Sequence, residues 1–259
     1  MITSCHLHHP PERVPFQSIA GFRRSHGPER KGAKESGPAS LPLVPAVVLS
    51  VNAGRLSRVP GIKRPSGIDK RPVARIEVRD PGPRYGGLGS GVVGDSIGSS
   101  KHHGGDSHAV YAFAREELDW WGHELGRDLP VGLFGENVTT YGIDVDAALV
   151  GERWRVGTAL LEVCGPRVPC ATFAARLQEP HWVKRFADRG RTGAYLGVIE
   201  AGVIEPGDPI VVEHRPEESF TVPEVFWACM GDVELAARVI EAKVLWPEAH
   251  NWLAARARA

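Results

Sequence analysis

Apolar residues in this chain recur mostly at every second position, in short runs broken by glycine and proline. The run Ala46-Val47-Val48-Leu49-Ser50-Val51 is apolar and β-branched and predicts a first strand. Pro72 to Arg79 alternates with period two and predicts one half-buried strand. Further strands are predicted at Ala109 to Phe113, Thr158 to Val163, Thr192 to Ile199 and Pro209 to Glu213. The helical period appears at Arg115 to Leu125, where Leu118, Trp121 and Leu125 share one face and Gly126 closes the helix. Glu179 to Phe186 predicts a short helix with Pro180 in its first turn, ending near Gly190. After Glu217 the period changes again: Thr221, Asp232 and Pro247 each begin a helical segment. Many short β-runs without regular strand–helix alternation argue for a mainly β protein built on a barrel, with peripheral helices.

Three segments follow from these patterns. Residues 1–45 mix Pro, Gly, Ser, His and basic residues without a period and predict a disordered N-terminal extension, because so little apolar surface cannot offset ordering entropy. A start codon placed too far upstream would produce the same composition. Arg23, Arg24, Arg30, Lys31 and Lys34 lie there, and such charge runs usually belong to a solvated tail. Residues 46–215 form the barrel and 216–259 a three-helix segment. Lys+Arg and Asp+Glu are equal at 31 each, so no bulk attraction to nucleic acid or membrane is expected. There is no apolar run of membrane-spanning length, and the first ten residues lack a signal-peptide core. With cysteines only at 5, 164, 170 and 229, the expectation is a cytoplasmic protein with reduced thiols.

Candidate chemistry concentrates between Gly132 and Cys170. Phe134-Gly135-Glu136-Asn137 sets a glycine before two hydrogen-bonding side chains, and Thr139 and Thr140 add hydroxyls in a context that equally suits ordinary strand. Pro166 and Pro169 stiffen a loop presenting Arg167 and Cys170. An arginine fork suits phosphate or carboxylate, and a guanidinium near a thiol favours the thiolate, which is also a soft-metal ligand. Cys164 reads as a buried strand residue, whereas Cys229 and Cys5 match nothing. Gly89 to Gly94 spells G-x-G-x-x-G but lacks the preceding strand and following helix of a dinucleotide site, so that reading is rejected. His102 and His103 stand beside a glycine pair; alone they read as loop histidines bonded to backbone. Neither a serine-nucleophile elbow, a Walker lysine, H-E-x-x-H nor paired C-x-x-C occurs.

F-G-E-N-V-T-T at 134–140, G-E-R-W-R-V-G at 151–157, P-R-V-P-C at 166–170 and H-H-G-G-D at 102–106 together resemble the MOSC domain, named after the C-terminal part of molybdenum cofactor sulfurases. The R-T-G-A-Y-L-G-V segment at 191–198 also resembles the MOSC C-terminal strands, and the three-helix tail resembles the YiiM-like branch, the 6-N-hydroxylaminopurine-resistance proteins. The resemblance implies a MOSC-type, pyruvate-kinase-like β-barrel. It implies a bound molybdenum cofactor (molybdopterin), with Cys170 as metal ligand and catalytic residue. Lys101, Arg167 and, as a further candidate, Arg191 would meet the pterin phosphate. His103, Gly104 and Gly105 would match the family's H-G-G motif, and Glu136, Asn137, Thr139 and Thr140 would read the pterin edges. Ser96 to Ser100 depart from an acidic or glutamine-bearing segment frequent in relatives.

The activity implied is reduction of N-hydroxylated small molecules. No flavin, haem or iron–sulfur pattern appears in the sequence, so electrons are expected from a separate reductase. The alternative is a sulfur carrier charged by a sulfur donor, with a Cys170 persulfide serving metal–sulfur centres; nothing resembles a pyridoxal phosphate site, so that cofactor is not expected. Neither a membrane nor a specific nucleic acid is an expected partner, and the oligomeric state is left open.

Overall fold

The computed structural model describes residues 45–100 and 103–258. The tail expected at residues 1–45 therefore lies outside the described residues, apart from the exposed Pro45. Ten strands are described: β1 (Val47–Ala53), β2 (Arg71–Val73), β3 (Ile76–Val78), β4 (Val110–Ala114), β5 (Val138–Tyr141), β6 (Arg153–Val156), β7 (Ala159–Pro166), β8 (Ala194–Glu200), β9 (Gly202–Ile204) and β10 (Ile210–His214). Eight form one sheet in the order β10-β6-β7-β8-β4-β5-β1-β2. Every pair is antiparallel except β4–β5, whose connection runs through a helix, α1 (Arg115–Leu125), as a parallel pair requires. At the start of β1, main-chain bonds Ile210 N→Ala46 O (2.8 Å), Val48 N→Asp208 O (2.9 Å) and Gly207 N→Val48 O (2.8 Å) join it to the approach of β10. Seven strands thus wrap into a barrel closed at that end, with β2 as a flap on β1.

The single strand expected at Pro72 to Arg79 is two. Its first half, β2, pairs with β1, and its second half, β3, pairs with β9 in a separate two-stranded ribbon. The alternation is genuine, but Ala74 and Arg75 turn the chain from one sheet to the other.

Strand β4 is buried on both faces, and its period of two sorts the side chains. Val110, Ala112 and Ala114 point into the barrel with Val51, Val138, Leu161, Val163 and Leu196. Tyr111 and Phe113 point outward into an aromatic core that includes Trp121, Phe134, Phe173, Trp182 and Phe186. Two helices cover that core: α2 (Ala171–Leu177) and α3 (Trp182–Arg189). Neither matches the expectation fully. Helix α2 carries no signal in the sequence, because its seven residues span too little chain for a period to show. Helix α3 begins after Pro180, with His181 in the left-handed conformation at its N-cap. Three C-terminal helices, α4 (Val222–Met230), α5 (Val233–Ala242) and α6 (Pro247–Ala257), enclose their own apolar cluster. Thr221 and Glu224 form a capping box on α4, and Asp232 accepts from Leu235 N (3.0 Å) to cap α5. Trp246 fastens this segment to the barrel: its indole donates to Glu162 (2.7 Å), and the ring lies where a side chain on Gly197 would stand.

Candidate functional site

At the β4–β5 end of the barrel lies a cavity of about 80 Å³ that opens to solvent. Strand β7 ends at Pro166, whose register partner is Ala194 on β8, and the chain then passes Arg167 and Pro169 to Cys170, the N-cap of α2. The rigid turn expected from the two prolines therefore exists, but it feeds a helix.

Cys170 is a free, half-buried thiol on the cavity wall. Arg167 is buried beside it. Its guanidinium lies over the Phe173 ring at 4.1 Å and the Tyr111 ring at 4.9 Å, and it donates to the Phe134 carbonyl. No carboxylate among the described residues forms an ion pair with it. Burial opposes its charge, but Tyr111, Tyr195 and Cys170 around it hold the proton above the ordinary arginine value. A buried cation that meets two rings, the Tyr111 hydroxyl, a thiol and a carbonyl, with Glu136 acting on it without an ion pair, leaves positive potential in the cavity.

The histidines answer that potential. His103 lines the cavity, and burial, with Arg167 and Arg84 behind it, drops its pKa to about 4. His108, which carried no sequence signal, is pushed to about 3 by burial, Arg84 and His103. Its ring packs on Tyr195 (4.4 Å between centroids), and Ser107 Oγ lies 3.0 Å from Nδ1. Both imidazoles are neutral at pH 7.

Another part of the wall comes from residues the sequence did not single out. Lys70 Nζ meets both oxygens of Asp95 at 2.5 Å, with the side chains 8% and 1% exposed. Asp95 also accepts from Gly54 N (2.7 Å), Ser90 Oγ (2.8 Å) and Asn137 Nδ2 (3.2 Å). Burial lowers the Lys70 pKa, and Asp95 works against that drop. The pair is the hub that ties the 66–70 and 90–98 loops to Asn137, the residue before β5. Lys and Asp read as surface residues in any sequence scan, so no signal marked them.

Of the expected site residues, His103, Gly104, Asn137, Arg167 and Cys170 line this one cavity, as does Gly135. Glu136, Thr139, Thr140 and Gly105 do not, and their chemistry is internal. Glu136 is fully buried; it accepts from Gly132 N (2.5 Å), Phe134 N (3.1 Å) and Thr139 Oγ1 (3.1 Å) and so shapes the loop that carries the Phe134 carbonyl. Burial raises its pKa against the pull of those N–H groups. Thr139 also accepts from Asn52 Nδ2 (3.1 Å), whereas Thr140 Oγ1 is buried without a partner among the described residues. Gly105 sits where a Cβ would meet Arg84 N at 2.9 Å, so this glycine serves loop packing. Asn137 lines the cavity while bonding Tyr111 N through Oδ1 (3.2 Å) and Asn52 O through Nδ2 (3.2 Å). Arg191 lies elsewhere, bound to Glu117 (2.5 Å) and Asp144 (2.6 Å). Lys101 falls outside the described residues, so nothing places it. Cys164 is buried in the barrel, where burial holds its thiol well above the usual range, and Cys229 is pushed up to about 12 in the helical segment.

A family model for the MOSC domain matches residues 99–211, which include His103, Asn137, Arg167 and Cys170. Over those residues the chain matches the MOSC-domain family. Protein YflK of Bacillus subtilis is 29% identical over 177 residues, covering 68% of this chain and 76% of YflK. A protein of Gibberella moniliformis named Reductase is 32% identical over 186 residues, which is 70% of this chain but only 32% of that protein. The chain thus spans about a third of the fungal relative. Among solved structures, YiiM from Geobacillus stearothermophilus superposes with a TM-score of 0.65 at 26% identity, covering 82% of this chain and all of YiiM. The MOSC barrel and its YiiM-like relatives thus agree with the architecture expected from the motifs. The Lys70–Asp95 hub lies before residue 99, outside the MOSC match, so part of the cavity wall comes from sequence the family model does not reach.

Proposed function

We propose that this MOSC protein binds the molybdenum cofactor in the cavity beside Cys170 and reduces N-hydroxylated small molecules with electrons from a separate reductase. The observation that supports this reading most is the pairing of a free thiol with a buried arginine that forms no ion pair with a carboxylate among the described residues. Such a cation suits an anionic ligand such as a pterin phosphate, and neutral His103 and His108 offer hydrogen bonds without competing charge. No group of three or more His, Cys, Asp or Glu suited to a metal occurs among the described residues. A metal held at Cys170 would therefore arrive with most of its own ligands, as a pterin-bound metal does.

Within the site, Cys170 would hold the metal, Arg167 the phosphate, and Asn137, already fixed by three bonds, one edge of the pterin. The bound cofactor supplies two-electron redox chemistry. The overall change is R–NHOH + 2 e⁻ + 2 H⁺ → R–NH2 + H2O, in which the N–O bond breaks and the nitrogen is reduced. Tyr195, whose hydroxyl burial keeps protonated, would remain a hydrogen-bond donor on the cavity wall.

Protein purified from cells that make the cofactor provides the test. Wild type is expected to carry molybdenum and to convert 6-hydroxylaminopurine when given reduced methyl viologen. Cys170→Ala is expected to lose both while its melting temperature stays within a few degrees. A variant that retained metal and turnover would overturn the assignment. A persulfide on Cys170 in the mass spectrum, with no pterin present, would favour sulfur carriage instead.

A further inference from the structure

From Gly54 to Ile68 the chain carries Arg55, Arg58, Lys63 and Arg64 and no carboxylate. All four are exposed, and none makes an ion pair or hydrogen bond with any described residue. In a chain of zero formal charge this is a local excess, so the molecule presents a positive face there. The loop is built to hold a shape. Ser57 and Ser66 exchange both main-chain bonds (3.0 and 2.9 Å), Ile62 N closes a turn on Val59 O (3.0 Å), and Val59 is buried in the aromatic core. Its far end is locked as well: a Cβ on Gly67 would stand 1.8 Å from Ser96 O, so the two backbones are packed against each other. Ser66, Gly67 and Ile68 then form cavity wall, which sets the four cations on the loop that borders the site. Amid them Leu56 is 55% exposed.

We propose that this loop is the docking face for an acidic, electron-carrying protein domain that delivers reducing equivalents to the cavity. The inference rests on the redox reading given under Proposed function. Three arginines to one lysine, on a preorganised loop around one exposed leucine, is the composition of a protein interface, where guanidinium forks pair with carboxylates around an apolar anchor. A single-stranded nucleic acid would need stacking aromatics, and 54–68 has none. A membrane surface would call for several apolar anchors where this loop exposes Leu56 alone. Charge steering also gives the transfer a fast encounter and a quick release, which suits a carrier that must leave after each delivery.

The test compares the wild-type holoprotein with the fourfold variant Arg55→Ser, Arg58→Ser, Lys63→Ser, Arg64→Ser. The probe is a purified flavodoxin, a small acidic flavoprotein. Turnover of 6-hydroxylaminopurine is driven either by reduced flavodoxin or by reduced methyl viologen. The expected result is flavodoxin binding that weakens about tenfold in the variant and loses its salt dependence, with flavodoxin-driven turnover falling in step. Viologen-driven turnover and melting temperature stay unchanged. If binding and flavodoxin-driven turnover survive in the variant, the docking face is wrong while the redox reading stands. If wild type shows no viologen-driven turnover, the redox reading fails first, and this proposal falls with it. Tighter wild-type binding to phosphatidylserine vesicles or to an RNA 20-mer than to flavodoxin would likewise overturn it.

Discussion

Arg167 shows how much one side chain can be asked to hold. It is buried, cationic, stacked between two rings and donates to the Phe134 carbonyl. Arg167→Lys keeps the charge but removes the planar stack and the fork. The expected outcome is a protein that folds and loses at least about tenfold in cofactor retention during gel filtration, equivalent to ~1.4 kcal/mol. Retention equal to wild type would mean that charge alone suffices. Asp146 has a different consequence. It accepts from Gly193 N (3.0 Å), yet its Oδ2 is buried without a hydrogen-bond partner, and burial raises its pKa from 3.8 to about 6 against the pull of Arg191. Between those values the folded chain binds more protons than the unfolded one, so stability falls as pH rises from about 4 through 6 and the full deficit persists above. Asp146→Asn keeps an acceptor for Gly193 and removes the charge. Urea midpoints measured across pH 4–8 should flatten in that window, with a gain on the order of 1 kcal/mol at pH 7.5. Parallel curves for the two proteins would show that Asp146 does not titrate there.

At the level of elements, legibility followed period. Strands β1 and β4 and helix α1 announced themselves through alternation or a helical face, and the prolines at 166 and 169 marked the Cys170 turn. Glu136 and Thr139 misled because a polar run in a glycine context looks like ligand-binding chemistry, whereas their bonds go inward to main chain and to each other. Lys70, Asp95, His108 and Tyr195 stayed hidden because tertiary placement alone brings them to the cavity. Loop-to-loop packing was equally invisible, and Gly67 is its clearest instance. Gly67→Ala drives a Cβ into the Ser96 carbonyl, which is backbone and cannot swing aside. A loss of ~1–3 kcal/mol in denaturant unfolding is expected, together with weaker cofactor retention as the wall shifts. Unchanged stability would show that the 66–68 and 96–98 loops separate freely.

At the scale of the molecule, three apolar clusters among the described residues share the work: the barrel interior, the aromatic layer beneath α2 and α3, and the C-terminal helices. The third is joined to the first through Trp246 and to the cavity loops through Arg84–Glu248 (2.6 Å). Trp246→Ala should therefore cost about 3 kcal/mol and split the thermal transition, the helices melting first. A single transition at the wild-type temperature would mean the helical segment holds on by other contacts.

Barrel closure has a consequence in time. The bonds that seal β1 join residues 46–48 to residues 207–210, so β1 must wait at the ribosome until about 160 further residues have been made. Until then a nascent chain exposes an unsealed β-edge of valines, open to pairing with neighbouring chains. A transcript broken before codon 207 would accordingly yield aggregates rather than a smaller folded protein.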